Sequence, residues 1–96
     1  MKVYTFSIGM FPIWNPNLAE TTAKELKKLD GFIGVHPLTH PETLQEATIL
    51  IFDSYNNAIK GREVMKQYDN VGKYIVDGEL SDDMQTLTIG DAVERS

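Results

Sequence analysis

Residues 50–68 read "LIFDSYNNAIKGREVMKQY", and the change of pattern inside this stretch decides the fold. Leu50, Ile51 and Phe52 close an apolar run that begins at Ile49. Successive strand side chains alternate in direction, so Ile49 and Ile51 share one face while Leu50 and Phe52 share the other. Apolar residues on both faces predict a central strand at 47–52. Asp53 or Ser54 then supplies a helix cap, because a short polar side chain can accept from the free N–H groups of a first helical turn. The spacing predicts a helix over 55–68. Asn56, Lys60, Glu63 and Gln67 fall on one side of it; Ala58, Gly61 and Met65 fall on the opposite side, flanked by Tyr55 and Tyr68. Gly61 therefore lies on the buried side, where glycine costs about 1 kcal/mol relative to alanine. Close approach of the helix backbone to the sheet would account for it; a tolerated defect is the alternative.

The same periodicities extend upstream and downstream. From Lys2 to Met10 the chain alternates, with Tyr4, Phe6, Ile8 and Met10 on one face and Val3, Thr5, Ser7 and Gly9 on the other. That is a strand with one buried face, and its short alternating run is expected to be neither a leader peptide nor a membrane span. "GMFPIWNPN" breaks the pattern with two prolines and reads as a loop. Asn17 with Glu20 approximates a capping box, and Ala23, Leu26 and Leu29 recur at helical spacing up to Gly31, which predicts a helix at 18–29. "GFIGVHP" is a second short strand ended by Pro37. Residues 73–80 form a fourth strand, "SDD" a turn, "MQTLTI" at 84–89 a fifth, and "GDAVERS" a loose tail. One domain over 1–90 with a flexible tail at 91–96 is expected.

The resulting order is strand–helix–strand, strand–helix–strand. Right-handed, interleaved crossovers of this kind give an antiparallel sheet with both helices on one face. Over roughly residues 2–80 this plan resembles the ferredoxin-like superfold, a βαββαβ two-layer α+β sandwich, with a fifth C-terminal strand added. The resemblance is one of element order; the superfold hosts enzymes, metal carriers, RNA-binding modules and ligand sensors, so it implies no particular activity.

Composition narrows the classes. The chain has 96 residues, 42% apolar and 24% charged, with no cysteine. A thiolate metal site, a disulfide scaffold and a thiol nucleophile are excluded, and a cytoplasmic location is expected. No cofactor motif is present: the glycines do not form a phosphate-binding loop and the serines lie in no nucleophile elbow. RNA-recognition modules share the element order, but their basic, aromatic signature strand is replaced here by "EATILIFD". His36 and His40, in "HPLTH", lack a convincing third metal ligand, and prolines follow both, so they read as loop histidines. No metal is expected.

Two stretches remain as candidate partner-binding surfaces. Phe11, Ile13 and Trp14 crowd a short loop; aromatics on loops are typical of binding hot spots, although Phe11 and Ile13 suit a core cap better than Trp14 does. The second is the acidic C-terminal segment. Residues 1–76 hold eight Lys/Arg and eight Asp/Glu, whereas residues 77–96 hold Asp77, Glu79, Asp82, Asp83, Asp91 and Glu94 against Arg95 alone, so the whole net charge of −5 sits there. A solvated turn explains it; so does a negative patch, Asp77, Glu79, Asp82 and Asp83, for a basic partner. The leading expectation is a small non-enzymatic protein-binding or regulatory protein. It would resemble, in size and charge, acidic phage or mobile-element inhibitors that block a basic nucleic-acid-binding surface, and would contact neither nucleic acid nor membrane directly. The alternative is a dimeric α+β-barrel-like enzyme or ligand-binding module using His36 or His40. A homodimer through the helix-free sheet face would cover Ile49 or Leu50 and parts of Val3 and Thr5.

Overall fold

The computed structural model describes residues 1–10, 24–43, 46–67 and 71–95. Five antiparallel strands form one sheet: β1 (Lys2–Met10), β2 (Phe32–Thr39), β3 (Glu46–Phe52), β4 (Tyr74–Leu80) and β5 (Leu87–Arg95). Their order is β2-β3-β1-β4-β5. As the apolar faces of the third strand require, β3 lies inside the sheet, paired with β1 through Tyr4↔Phe52, Phe6↔Leu50 and Ile8↔Thr48. A short helical segment, α1, is described over 24–26, followed by turns and by Gly31 at φ 70°. Residues 18–23 of the first expected helix lie outside the described residues.

The helix read from the opening stretch is α2 (Tyr55–Met65). Ser54, in extended conformation, accepts a hydrogen bond from the Asn57 N–H at 3.2 Å. This side chain satisfies one of the donors that a first turn leaves unpaired. The helix ends at Met65, short of the expected limit, and buries Ala58, Gly61, Arg62 and Met65, the i, i+3, i+4, i+7 stripe of an amphipathic helix. A Cβ on Gly61 would press into the Phe52 ring, with Cε1 at 2.8 Å, so the glycine marks a close approach of helix to sheet.

Phe6, Ile8, Leu26, Leu50, Phe52, Ala58, Met65 and Ile75 form the core between the sheet and the helices, with Tyr4 and Leu29 at its margin. Phe52 is at its centre, stacked on Phe6 at 5.6 Å and met edge-on by Phe32 at 5.7 Å. The other face has a cluster of its own: Val3, Ile51 and Leu80, packed with Ile33, Ile49 and Leu87. Val3, Thr5 and Ile51 are thus buried within one chain, and their burial does not require a second copy. Leu50 faces the helices, not the helix-free side.

Three expectations are corrected. The ferredoxin-like ordering is not matched, since the strand order is β2-β3-β1-β4-β5; the expected fifth C-terminal strand is present and lies beyond β4. Residues 91–95, expected as a flexible tail, are the second half of β5. Pairing with β4 holds them through the backbone, which asks little of the side chains. The second strand does not stop at Pro37 but runs to Thr39. As the outermost strand, β2 can accommodate a residue without an N–H.

Candidate functional site

The β4–β5 hairpin carries every acidic residue of the C-terminal surplus. Alternation places Asp77 and Glu79 on the helix-side face of β4: Asp77 stands opposite Tyr4, and Glu79 opposite Lys2. Asp82 and Asp83 lie in the connection 81–86. The four residues singled out from the sequence therefore share one hairpin. They differ in what they hold.

Asp77 is structural. Its Oδ1 accepts the Asp91 N–H at 2.9 Å, and its Oδ2 lies 3.3 Å from Lys2 Nζ. Gly90 and Asp91 together stand across from Asp77, where the β4–β5 register shifts, so the carboxylate satisfies backbone that the ladder leaves unpaired. The hydrogen bond and charge of Asp77 raise the Lys2 pKa above its ordinary value. Asp83 is structural too. It accepts hydrogen bonds from the Ser81 hydroxyl and from the Gln85 N–H. These donors, the hydroxyl first, hold its carboxyl below the usual range. Among the described residues Glu79 reaches only the terminal ammonium of Met1, at 3.5 Å, and it is largely exposed. Asp82 is exposed, with no polar partner among the described residues.

Glu94 has a different role, which the sequence reading missed. It stands opposite Ile75 on the helix-side face. Its Oε1 lies 2.9 Å from Arg62 Nη2, and its Oε2 accepts the Tyr55 hydroxyl at 3.2 Å. Arg62 is 2% exposed. A guanidinium at that depth needs a carboxylate, and Glu94 supplies one from the far end of β5. Burial first, then the Glu94 charge, pushes the Tyr55 pKa up. The signal was present in the sequence: Arg62 falls on the same stripe as Ala58, Gly61 and Met65.

On the opposite face of the hairpin Leu80 and Leu87 are packed against Val3 and Ile51, whereas Tyr74 and Ile89 are open to solvent. Tyr74 is 47% exposed beneath Arg95, with the guanidinium 5.9 Å from the ring centroid; Ile89 is 50% exposed. At the tip, Met84 is 51% exposed at φ 61°. The hairpin thus presents apolar groups on one side, acids on the other and both at its tip.

The remaining candidates do not converge on a site. Phe11, Ile13 and Trp14 lie outside the described residues. His36 sits on edge strand β2 opposite Ile49. His40 Nδ1 accepts the N–H groups of Glu42 and Thr43, each at 3.2 Å, and so closes a local turn. No group of three or more metal-ligating side chains occurs among the described residues. Nor does any helix among them have the length and apolarity to cross a membrane. No protein-family model, curated protein or solved structure matches the chain.

Proposed function

We propose that this chain is a non-enzymatic protein-binding module that presents its β4–β5 hairpin to a partner with a basic surface. The observation that carries this reading is the clustering, on one hairpin, of unanchored acids with exposed Met84, Ile89 and Tyr74. Acids steer the encounter, while large exposed side chains supply contact area. Occlusion of a basic nucleic-acid-binding channel is the specific form of regulation that such a surface suits.

Contact is made by side chains, not by strand addition. Both sheet edges are poor templates for another strand: β2 contains Pro37 and a register shift at Ile33, and β5 pairs through two register shifts. Irregularity of this kind, with charge, blunts edge-to-edge pairing. The test is affinity capture from the cells that make the protein, followed by association rates against salt for the captured partner. Glu79→Gln with Asp82→Asn should slow association and flatten its salt dependence while leaving stability unchanged, because neither side chain anchors the hairpin. Equal salt slopes for parent and variant would refute the proposal.

A further inference from the structure

The way β5 is attached points to an exchange between copies of the chain. Of its nine residues, only Leu87 and Glu94 are partly buried. Leu87 packs on the Val3, Ile51 and Leu80 cluster; Glu94 closes on Arg62 and Tyr55. Between these two anchors the strand is held by a ladder with two register shifts. A segment that buries so little opens more readily than the core strands do.

What it leaves behind is demanding. Without β5, Arg62 would be a guanidinium with no carboxylate among the described residues, where its Nε and Nη1 already have no hydrogen-bond partner. Leu80 would lose its neighbour Leu87. An occupant must therefore offer an apolar residue at one end of β4 and a carboxylate at the other, opposite Ile75. A second copy of β5 has both at the required spacing.

The connection between β4 and β5 favours the same exchange. Residues 81–86 are closed by Ser81 N–H to Thr86 O at 2.9 Å and Met84 N–H to Ser81 O at 2.8 Å. Met84 adopts the left-handed conformation at φ 61°, which costs a non-glycine residue free energy. Extending the connection releases that strain, and the interactions of β5 with β4 and α2 are remade in the partner copy. We propose that two copies of this chain exchange β5 about the hinge 81–86, with Glu94 of each copy closing on Arg62 of the other. Swapping of an identical element is a low-cost route to a dimer.

The absence of cysteine makes the test direct. Glu79 and Thr88 are partners across the hairpin, so Glu79→Cys with Thr88→Cys forms a disulfide within the closed chain and between chains after exchange. The protein is refolded at concentrations from about 10 µM to about 1 mM, the range in which exchange competes with closure. Light scattering identifies the dimer, which is then oxidised and run on a denaturing, non-reducing gel. Interchain-linked dimers are expected. Met84→Gly should weaken dimerisation about 30-fold, the equivalent of about 1 kcal/mol of strain removed from each of two closed hinges. A strictly monomeric protein, a dimer whose disulfides all lie within chains, or a Met84→Gly variant that dimerises as well as the parent would each overturn the proposal. Because the hinge 81–86 carries Asp82 and Met84 and the cysteine variant replaces Glu79, the acidic surface is tested separately, by salt dependence on the monomer with its cysteine-free sequence.

Discussion

Gly61→Ala is the sharpest test of how the helix meets the sheet. At an exposed helical site this change stabilises by about 1 kcal/mol, because alanine is the better helix former. Here the new methyl would enter the Phe52 ring, with Cε1 at 2.8 Å. The ring has nowhere to retreat: Phe52 is fully buried, stacked on Phe6 and met by Phe32. Overpacking of this kind costs about 1–3 kcal/mol. The two effects oppose, and the net expectation is a loss of about 1 kcal/mol, read as a lower urea midpoint by circular dichroism at constant slope. Gly61→Leu should lie nearer 3 kcal/mol, since a whole side chain must then be accommodated. The decisive measurement is a double-mutant cycle with Phe52→Leu. In that background the ring is gone, and Gly61→Ala should stabilise by about 1 kcal/mol, a coupling of about 2 kcal/mol between the sites. Stabilisation of the parent by Gly61→Ala, with the same increment in both backgrounds, would mean that the glycine is only a tolerated defect.

Other perturbations test the polar anchors. Glu94→Gln should cost about 2 kcal/mol, because it leaves the buried Arg62 guanidinium unneutralised, while Arg62→Met should cost less because it removes the charge needing neutralisation; urea midpoints rank the two, and the reverse order would contradict the geometry. Tyr55 has a raised pKa, so the folded chain retains the phenolic proton longer than the unfolded chain. Stability should therefore fall as pH rises above the ordinary tyrosine value, and Tyr55→Phe should remove that component of the alkaline loss. The lowered pKa of Asp83 has the opposite consequence: its contribution is present above the ordinary aspartate value and is lost as pH falls through the lowered one. Ser81→Ala should raise the Asp83 pKa, measured by carbon-detected NMR titration; an unchanged value would mean that the hydroxyl is not the main cause.

The parts of the fold legible in the sequence are those where one local period decides burial. Tyr4, Phe6 and Ile8 alternate on β1, and all three contribute to the helix-side core or its margin. Ala58, Gly61 and Met65 share the buried stripe of α2. Arg62 belongs to the same stripe, but a cation at a buried position becomes legible only with its carboxylate. Glu94 lies on a distant strand, with no local pattern linking the two. The length of β5 was obscured in a similar way. Gly90 and Asp91 are poor strand formers, yet they occupy the register shift opposite Asp77, whose carboxylate accepts the Asp91 N–H. The break in local pattern was real; the chain resumes the strand beyond it.

The same long-range contacts change how the acidic surplus should be understood. A charge count treats Asp77, Glu79, Asp82, Asp83, Asp91 and Glu94 as six equal contributors. In the fold, Asp77 joins β4 to the displaced backbone of β5, Asp83 orders the tip, and Glu94 ties β5 to Arg62. These three carboxylates already accept hydrogen bonds, so an incoming lysine or arginine would have to share or displace existing donors. Glu79, Asp82 and Asp91 are exposed. Among the described residues, the one polar contact of their carboxylates is the ion pair of Glu79 with the Met1 ammonium at 3.5 Å, and an exposed pair of this kind is worth about 1 kcal/mol or less. Partner binding should therefore divide the six. Neutralising Glu79, Asp82 and Asp91 together should slow association at unchanged urea midpoint, whereas neutralising Asp77, Asp83 and Glu94 should lower the midpoint first and affect association through loss of the hairpin. If the two triple variants were alike in both measurements, the division between anchoring and steering acids would be wrong, and the surplus would act only as undifferentiated net charge.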